Sequence, residues 1–496
     1  MPRQDSARGL HRVGVGGKPA GMQAVGAVGS GLLAVFVILW LLHWHLLPLG
    51  VRGEWHWRQR DMAFWPGPAV MLACALLLVG AALALDAARR EAIARRQALA
   101  SIVALLLGSY LLPGAILLAE PGGYGRATLS VFSDLSMGYL SEVSKNPSFR
   151  TWLRDTRRRT DLGLVPARVA THPPGPVACF YLLDGLVRSH PALARLAMAP
   201  FRLVGLAPDE VLGTAQRVGS GRFDIHHVAV ASLAVWVLTV PVPLAVAGAW
   251  ALGSWWLGGR AGIVAAVLTA TIPSLFVFTP GIDAGIAALA VWVVALWAWV
   301  LRRRQWFALV GLAWGLGLQM TFGLAVLGVA LFTMWLASGR SGGWRAWAWL
   351  LGGVVLAHLP VVAMGYDPVA NFVASLTAQR HIMASRQYPA WVAMNAWDIV
   401  LFAGPVLVAL ALSSSGRTKG LGLGLAVTVV LLLLAGATRG EVGRIWCFLM
   451  PPMGVCAAAA LVALEESAFL FAGIVAVAAQ LMMVTGLATY LLLVTP

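Results

Sequence analysis

Long apolar runs joined by short charged connections make up most of the chain, and one polar stretch, from Glu120 to about Ile225, interrupts them. A helix needs about 20 apolar residues to cross the hydrocarbon core. Runs of that kind span Gln23 to Leu49, a segment ending near Leu85, and Ala98 to Ala119. After the polar stretch they resume near 227–256, 262–279, 283–301, 306–322, 323–338, 345–364, 394–412, 421–437, 444–464 and 467–493. The pattern predicts an all-α polytopic membrane protein with about 13 spans. Its parts are a tail (1–22), three helices (23–119), a loop (120–225) and a bundle of about ten helices (226–496). Further outer loops fall near 365–393 and 438–444. Within the large loop, Leu182–Leu206 is moderately apolar but carries Asp184, Arg188, Arg195 and Arg202. Amphipathic helices lying at the membrane surface fit it better than a span.

Composition sharpens this picture. Apolar residues are 59% of the chain and charged residues 11%, against about a quarter charged in an ordinary soluble domain. That excludes a soluble enzyme, a disordered chain and a disulfide scaffold. Lys and Arg outnumber Asp and Glu by 36 to 20, a net charge of +16. The cations lie between apolar runs, where they set orientation, so no nucleic-acid partner is implied. Arg3, Arg8, Arg12 and Lys18, the segment 86–96, Arg260, Arg302–Arg304, Arg340, Arg345, Arg417 and Lys419 all mark a cytoplasmic side. The N-terminus is then cytoplasmic and the large loop extracytoplasmic, in a multi-pass protein of a plasma (inner) membrane. The first run is too long for a secretory signal and is expected to stay as an anchor. Richness in Ala, Gly, Arg and Trp suggests a bacterial source. Cys74, Cys179, Cys447 and Cys456 show no metal-ligand spacing, so neither zinc nor a disulfide framework is expected.

Candidate chemistry gathers on the outer side. Residues 132–143, PheSerAspLeuSerMetGlyTyrLeuSerGluVal, follow the third run and bring Asp134 and Glu142 to the membrane edge. Eight residues apart on a helix, the two lie near one face, and such a carboxylate can serve as general base on a hydroxyl. Solvated loop acids are the plainer alternative. The pair could also hold a divalent cation through oxygen ligands. At 171–176, ThrHisProProGlyPro has prolines suited to opening a helix and a glycine that permits close backbone approach. His172 could contact a phosphate or sugar there, or simply close the turn. Outer arginines run against the orientation rule, so Arg380, Arg386, Arg439 and Arg444, with His381, are read as anion contacts or as lipid-headgroup contacts. The cluster GlyGluTrpHisTrpArgGlnArgAsp at 53–61 reads as interfacial anchoring or acceptor binding. Asp283 reads first as a helix N-cap.

An outer loop with an acid soon after a membrane helix, then a His-Pro-Pro-Gly turn, resembles the GT-C glycosyltransferases of the protein mannosyltransferase and aminoarabinose transferase type. TrpTrpLeuGlyGlyArgAlaGly at 255–262 resembles their inner turn, and PheThrProGlyIleAsp at 278–283 their Pro…Asp outer turn. The resemblance covers residues 98–450 as architecture and only these short stretches as motif. It implies a polyprenyl-phosphate-linked sugar as donor and a lipid, glycan or protein as acceptor. Asp134 would be the catalytic base with Glu142 as its rival. His172, Tyr139, Asp283, Arg380, His381, Arg386, Arg439 and Arg444 would bind substrate. Two helices more than usual precede the loop, and Leu135 stands where the family often has a second acid. A transporter or lipid flippase and a non-catalytic scaffold are the alternatives.

Overall fold

The computed structural model describes residues 18–61, 65–90, 95–414 and 416–492. The basic N-terminal tail and part of the 86–96 charge cluster lie outside the described residues. The chain enters as helix α1 (Lys18–His43), turns through a short hairpin, β1 (Gly50–Val51) and β2 (Trp55–His56), and returns as α2 (Gly67–Arg89) and α3 (Arg95–Ala119). The polar stretch folds as seven short helices: α4 (Gly123–Phe132), α5 (Tyr139–Lys145), α6 (Phe149–Asp161), α7 (Ala167–Ala170), α8 (Gly175–Ser189), α9 (Pro191–Leu203) and α10 (Pro208–Val218). None is long enough to cross a bilayer. The expected moderately apolar segment is cut at His190–Pro191, where proline cannot continue the helix hydrogen bonding of α8.

The bundle begins with α11 (Ile225–Val237) and α12 (Pro241–Trp256), which run on as one apolar span. Then come α13 (Gly259–Thr269), α14 (Pro273–Val277), α15 (Asp283–Arg303), α16 (Phe307–Met320), α17 (Leu327–Ala337) and α18 (Gly343–Ala363). The last group is α19 (Pro368–Met383), α20 (Tyr388–Ala403), α21 (Pro405–Ser413), α22 (Leu421–Ala435), α23 (Val442–Ile445), α24 (Met450–Leu461) and α25 (Glu466–Tyr490). Among the described residues, 7 helices are long and apolar enough to cross a membrane, or 8 if α20 and α21 count as one span. Five further apolar helices, including α13, α16 and α24, have only 10–17 residues. The expected count of about 13 spans is therefore not reached by length alone.

The segment expected as one crossing at 394–412 is broken, with α20 and α21 meeting at 101°. Gly404 sits at the break with φ +92, and Pro405 follows it. A side chain there would be strained by the backbone and would meet the Gln480 carboxamide. Elsewhere small residues bring helices together. A Cβ on Gly311 of α16 would fall 1.9 Å from the Leu350 carbonyl of α18, and one on Gly353 2.1 Å from that of Ala308. Only glycine permits so close a crossing. At the centre, α13 and α24 are almost wholly buried. At the periphery, Leu33 and Phe36 of α1, Leu72 and Val79 of α2, Val355 and Leu356 of α18, and Leu423 and Val430 of α22 are exposed. Apolar exposure on that scale suits a hydrocarbon environment.

Candidate functional site

Beneath the short helices lies a cavity of about 290 Å³. Its walls come from separate parts of the chain. The hairpin contributes Trp55, His56, Trp57 and Arg58; the segment before α5 contributes Leu135, Ser136 and Met137, and α5 itself Tyr139. Arg168 and His172 come from α7 and the turn after it, and the α14–α15 turn contributes Phe278 and Pro280 through Asp283. Glu441 and Arg444 close the site from the last loop.

Charge is ordered in a chain across this cavity. Glu441 accepts a hydrogen bond from the Arg168 guanidinium at 2.7 Å and another from Arg444. The Arg444 Nε lies 3.9 Å from Asp283 Oδ2. Glu441 takes a left-handed backbone conformation, φ +59, which is uncommon outside glycine. Such strain persists only where the surroundings over-determine it, and here two arginines and the start of α23 do so. All four charged groups are partly shielded from solvent, with 14 to 21% of each side chain exposed. Opposite charges held at such depth attract more strongly than at an open surface.

The double proline opens α8 at Gly175, as its fixed φ favours. A Cβ on Gly175 would stand 2.3 Å from the Gln319 carbonyl, so the glycine lets the loop rest directly on the end of α16. His172, just before the prolines, has its Nδ1 2.8 Å from the Arg168 carbonyl. A carbonyl only accepts, so Nδ1 carries the proton and Nε2 is left as the acceptor. Burial, and then the neighbouring Arg168 charge, push its pKa down to about 4. The ring is neutral at neutral pH. Tyr139 is buried against His172 and stacks on Phe180; burial raises its pKa, so it remains a phenol.

The two carboxylates expected as bases do not line this cavity. Asp134 stands next to Leu135, but its Oδ2 accepts from the Ser220 amide at 3.0 Å, and its Oδ1 is buried without a hydrogen-bond partner. Glu142, on α5, is fully buried, 2.6 Å from Arg159 Nη1 and accepting from the Trp152 indole at 3.1 Å. Lys145 reaches Glu142 at 3.6 Å and also the Ser220 hydroxyl. The two acids are thus joined only indirectly, Glu142 to Lys145 and Asp134 to the amide of the Ser220 that Lys145 reaches, instead of converging on an open metal position. No group of three or more His, Cys, Asp or Glu residues able to hold a metal occurs among the described residues.

The residues expected to bind substrate divide. Asp283, Tyr139, His172 and Arg444 meet in the cavity. Arg386 and Arg439 do not; each donates to the other's backbone carbonyl, and Arg439 also reaches the carbonyls of Met383 and Gly436. Their guanidiniums lie over Trp391 and Tyr388 respectively. They tie the start of α20 to the last loop. Arg380 and His381 are exposed on α19, His381 facing α6 across a separate groove. Asp283 is the first residue of α15 and not its N-cap, a place taken by Ile282. Arg168 and Glu441 are central to the site, and sequence reasoning did not select them. A lone acid beside Gly440, among outer arginines, was the available signal for Glu441.

The aromatic segment 53–61 is built into the site. Glu54 accepts from the Gln387 amide and the Trp391 indole, and Trp57 stacks close to Phe278 and Phe402. Comparison with protein-family models, curated proteins and solved structures finds no match for the chain. The likeness to the GT-C transferases therefore rests on the short sequence motifs alone.

Proposed function

We propose that this chain is an integral-membrane glycosyltransferase that moves a sugar from a polyprenyl-phosphate donor to a hydroxyl of a lipid, glycan or protein. The observation that carries the reading is the meeting of Asp283 with Arg168, Arg444 and Glu441 in one cavity, bordered by the His-Pro-Pro-Gly turn. In the reaction, Asp283 takes the proton of the acceptor hydroxyl as that oxygen bonds to the anomeric carbon. The bond from this carbon to the phosphate oxygen breaks, and its electron pair leaves with the polyprenyl phosphate. The anomeric centre inverts. A phosphate leaves as a stable anion, so one base suffices, unlike the acid and base pair of glycosidases. Arg168 and Arg444 offer the planar, bidentate hydrogen bonding that a departing phosphate needs. Neutral His172, with Nε2 as acceptor, suits a sugar hydroxyl. In this reading the cavity faces the extracytoplasmic side of a bacterial plasma membrane, opposite the rim rich in arginine.

Asp283 here takes the role that the motif comparison gave to Asp134 or Glu142. The test is transfer from polyprenyl-phosphate sugars by purified protein in lipid nanodiscs. Asp283→Asn should lower the rate about a hundred- to ten-thousand-fold, while Asp134→Asn stays within about tenfold of wild type. Wild-type rates in Asp283→Asn, with the loss in Asp134→Asn, would return the base to the loop. Wild-type protein that transfers no sugar would remove the reading.

One observation favours a second reading, a transporter or lipid flippase. Discontinuous helices with buried polar groups mark transport sites, and the α20–α21 break follows the buried Asp398. Substrate flux across proteoliposomes that persists in Asp283→Asn and vanishes in Asp398→Asn would support it.

A further inference from the structure

We infer that the rim opposite the cavity carries a headgroup site for an anionic phospholipid, in a pocket between the α15–α16 turn and α18. α15 carries Asp283 at its first residue and runs 21 residues to Arg303. At about 1.5 Å per residue it is about 30 Å long, one hydrocarbon thickness. Just past its end is a second cavity, of about 410 Å³. Arg304, Gln305, Trp306, Phe307, Arg345 and Trp349 are among its lining residues.

Three features of this cavity suit a phosphate diester with acyl chains. The first is charge. Arg304 and Arg345 line it, no Asp or Glu does, and neither arginine has a carboxylate partner among the described residues. Arg304 and Trp306 both hold left-handed backbone conformations, φ +57 and +69, which fix the tight turn that presents them. The second is the pair of helix starts. α16 and α18 begin at its edge, with no side-chain cap and no acid in either first turn. Their unpaired amides add positive potential to that of the guanidiniums.

The third feature separates a lipid from free phosphate. Trp306 and Trp349 are 62% and 65% exposed, at the depth where indole rings sit among headgroups. From there an apolar track continues toward the bilayer interior along Leu309 and Leu316 of α16 and Leu356 and Leu359 of α18, all exposed. Free phosphate has no use for that track; an acyl chain does. Basic pockets between membrane helices are suited to anionic headgroups on electrostatic grounds. The inference does not depend on the transferase reading.

The test uses the full-length protein, delipidated in a neutral detergent, with lipid binding followed by native mass spectrometry and by thermal unfolding. The probes are phosphatidylglycerol, phosphatidylcholine and inorganic phosphate. Phosphatidylglycerol should be retained and protective, and phosphatidylcholine should not. Arg304→Gln with Arg345→Gln should weaken phosphatidylglycerol binding about thirtyfold, from about 1 kcal/mol per cation near a membrane surface. Arg302→Gln with Arg303→Gln removes the same amount of charge from the same rim but spares the pocket, and should leave binding unchanged. Should the first pair unfold, Trp349→Ala, which keeps both charges, is expected to weaken retention on its own. Equal loss in the two arginine pairs would overturn the site in favour of diffuse rim charge. Protection by inorganic phosphate as strong as by phosphatidylglycerol would overturn the lipid assignment.

Discussion

The Trp57 indole donates to both carboxylate oxygens of Asp398, at 3.3 Å each, across 341 residues of sequence. Asp398, 2% exposed, lies on α20 where that helix packs against α23, which begins at Val442. One carboxylate thus joins the hairpin to the bent helix, beside the loop that carries Glu441 and Arg444.

Removing that carboxylate strands the indole donor. Asp398→Ala is expected to destabilise the protein by about 2 to 4 kcal/mol, because buried donors without acceptors are costly. Trp57→Phe removes one donor and should cost about 1 kcal/mol. Thermal unfolding in detergent checks both, and unchanged melting in Asp398→Ala would count against the linkage.

Glu142 is buried in an ion pair with Arg159, so its loss is expected to show in stability. Glu142→Gln leaves the Arg159 guanidinium without its buried counter-charge, and losing one member of a buried pair costs about 3 to 5 kcal/mol. The expected result is faster proteolysis within 146–166 and a lower melting temperature. Transfer per folded molecule should match wild type.

His172 gives the site an acid limit. The folded protein keeps the ring neutral down to about pH 4, whereas an unfolded chain protonates it near pH 6.5. Between those values the unfolded state binds more protons, so stability falls as pH drops through the window and is unaffected above it. Melting of wild type should fall more steeply from pH 6.5 to 4 than that of His172→Asn. Parallel slopes would show that another group sets the limit.

At the break between α20 and α21, Gly404→Ala should be poorly tolerated. Its φ of +92 disfavours any Cβ, which would also lie 1.8 Å from Gln480 Oε1. Gln480→Ala removes the contact but not the backbone strain, so it should restore folding only in part. Size-exclusion profiles and melting of the single and double variants measure this.

The helices were legible because hydrophobic length is a direct consequence of the solvent around them. What escaped notice depends on direction instead of composition. Hydropathy is blind to φ, so Gly404 read as one more apolar residue within a single crossing. Proximity of an acid to a helix end says nothing of where it points. Asp134 turns to Ser220, 86 residues on, and Glu142 to Arg159. Outer arginines looked alike in sequence, yet Arg439 is committed to backbone carbonyls while Arg444 faces Glu441 and Asp283. The Pro…Asp turn at 278–283 and the double proline were readable, because fixed φ and small size leave a signature in the sequence itself.

The sharing of Glu441 between Arg168 and Arg444 also bears on how an anionic guest is received. Both cations are already convergent before any visitor arrives, so little freedom remains to be lost when one docks. A newcomer needs only to compete with a resident negative charge that has a second tether in the protein. In the proposed transferase, entry and departure would then be exchanges between anions, and release would never leave two bare positive groups facing each other.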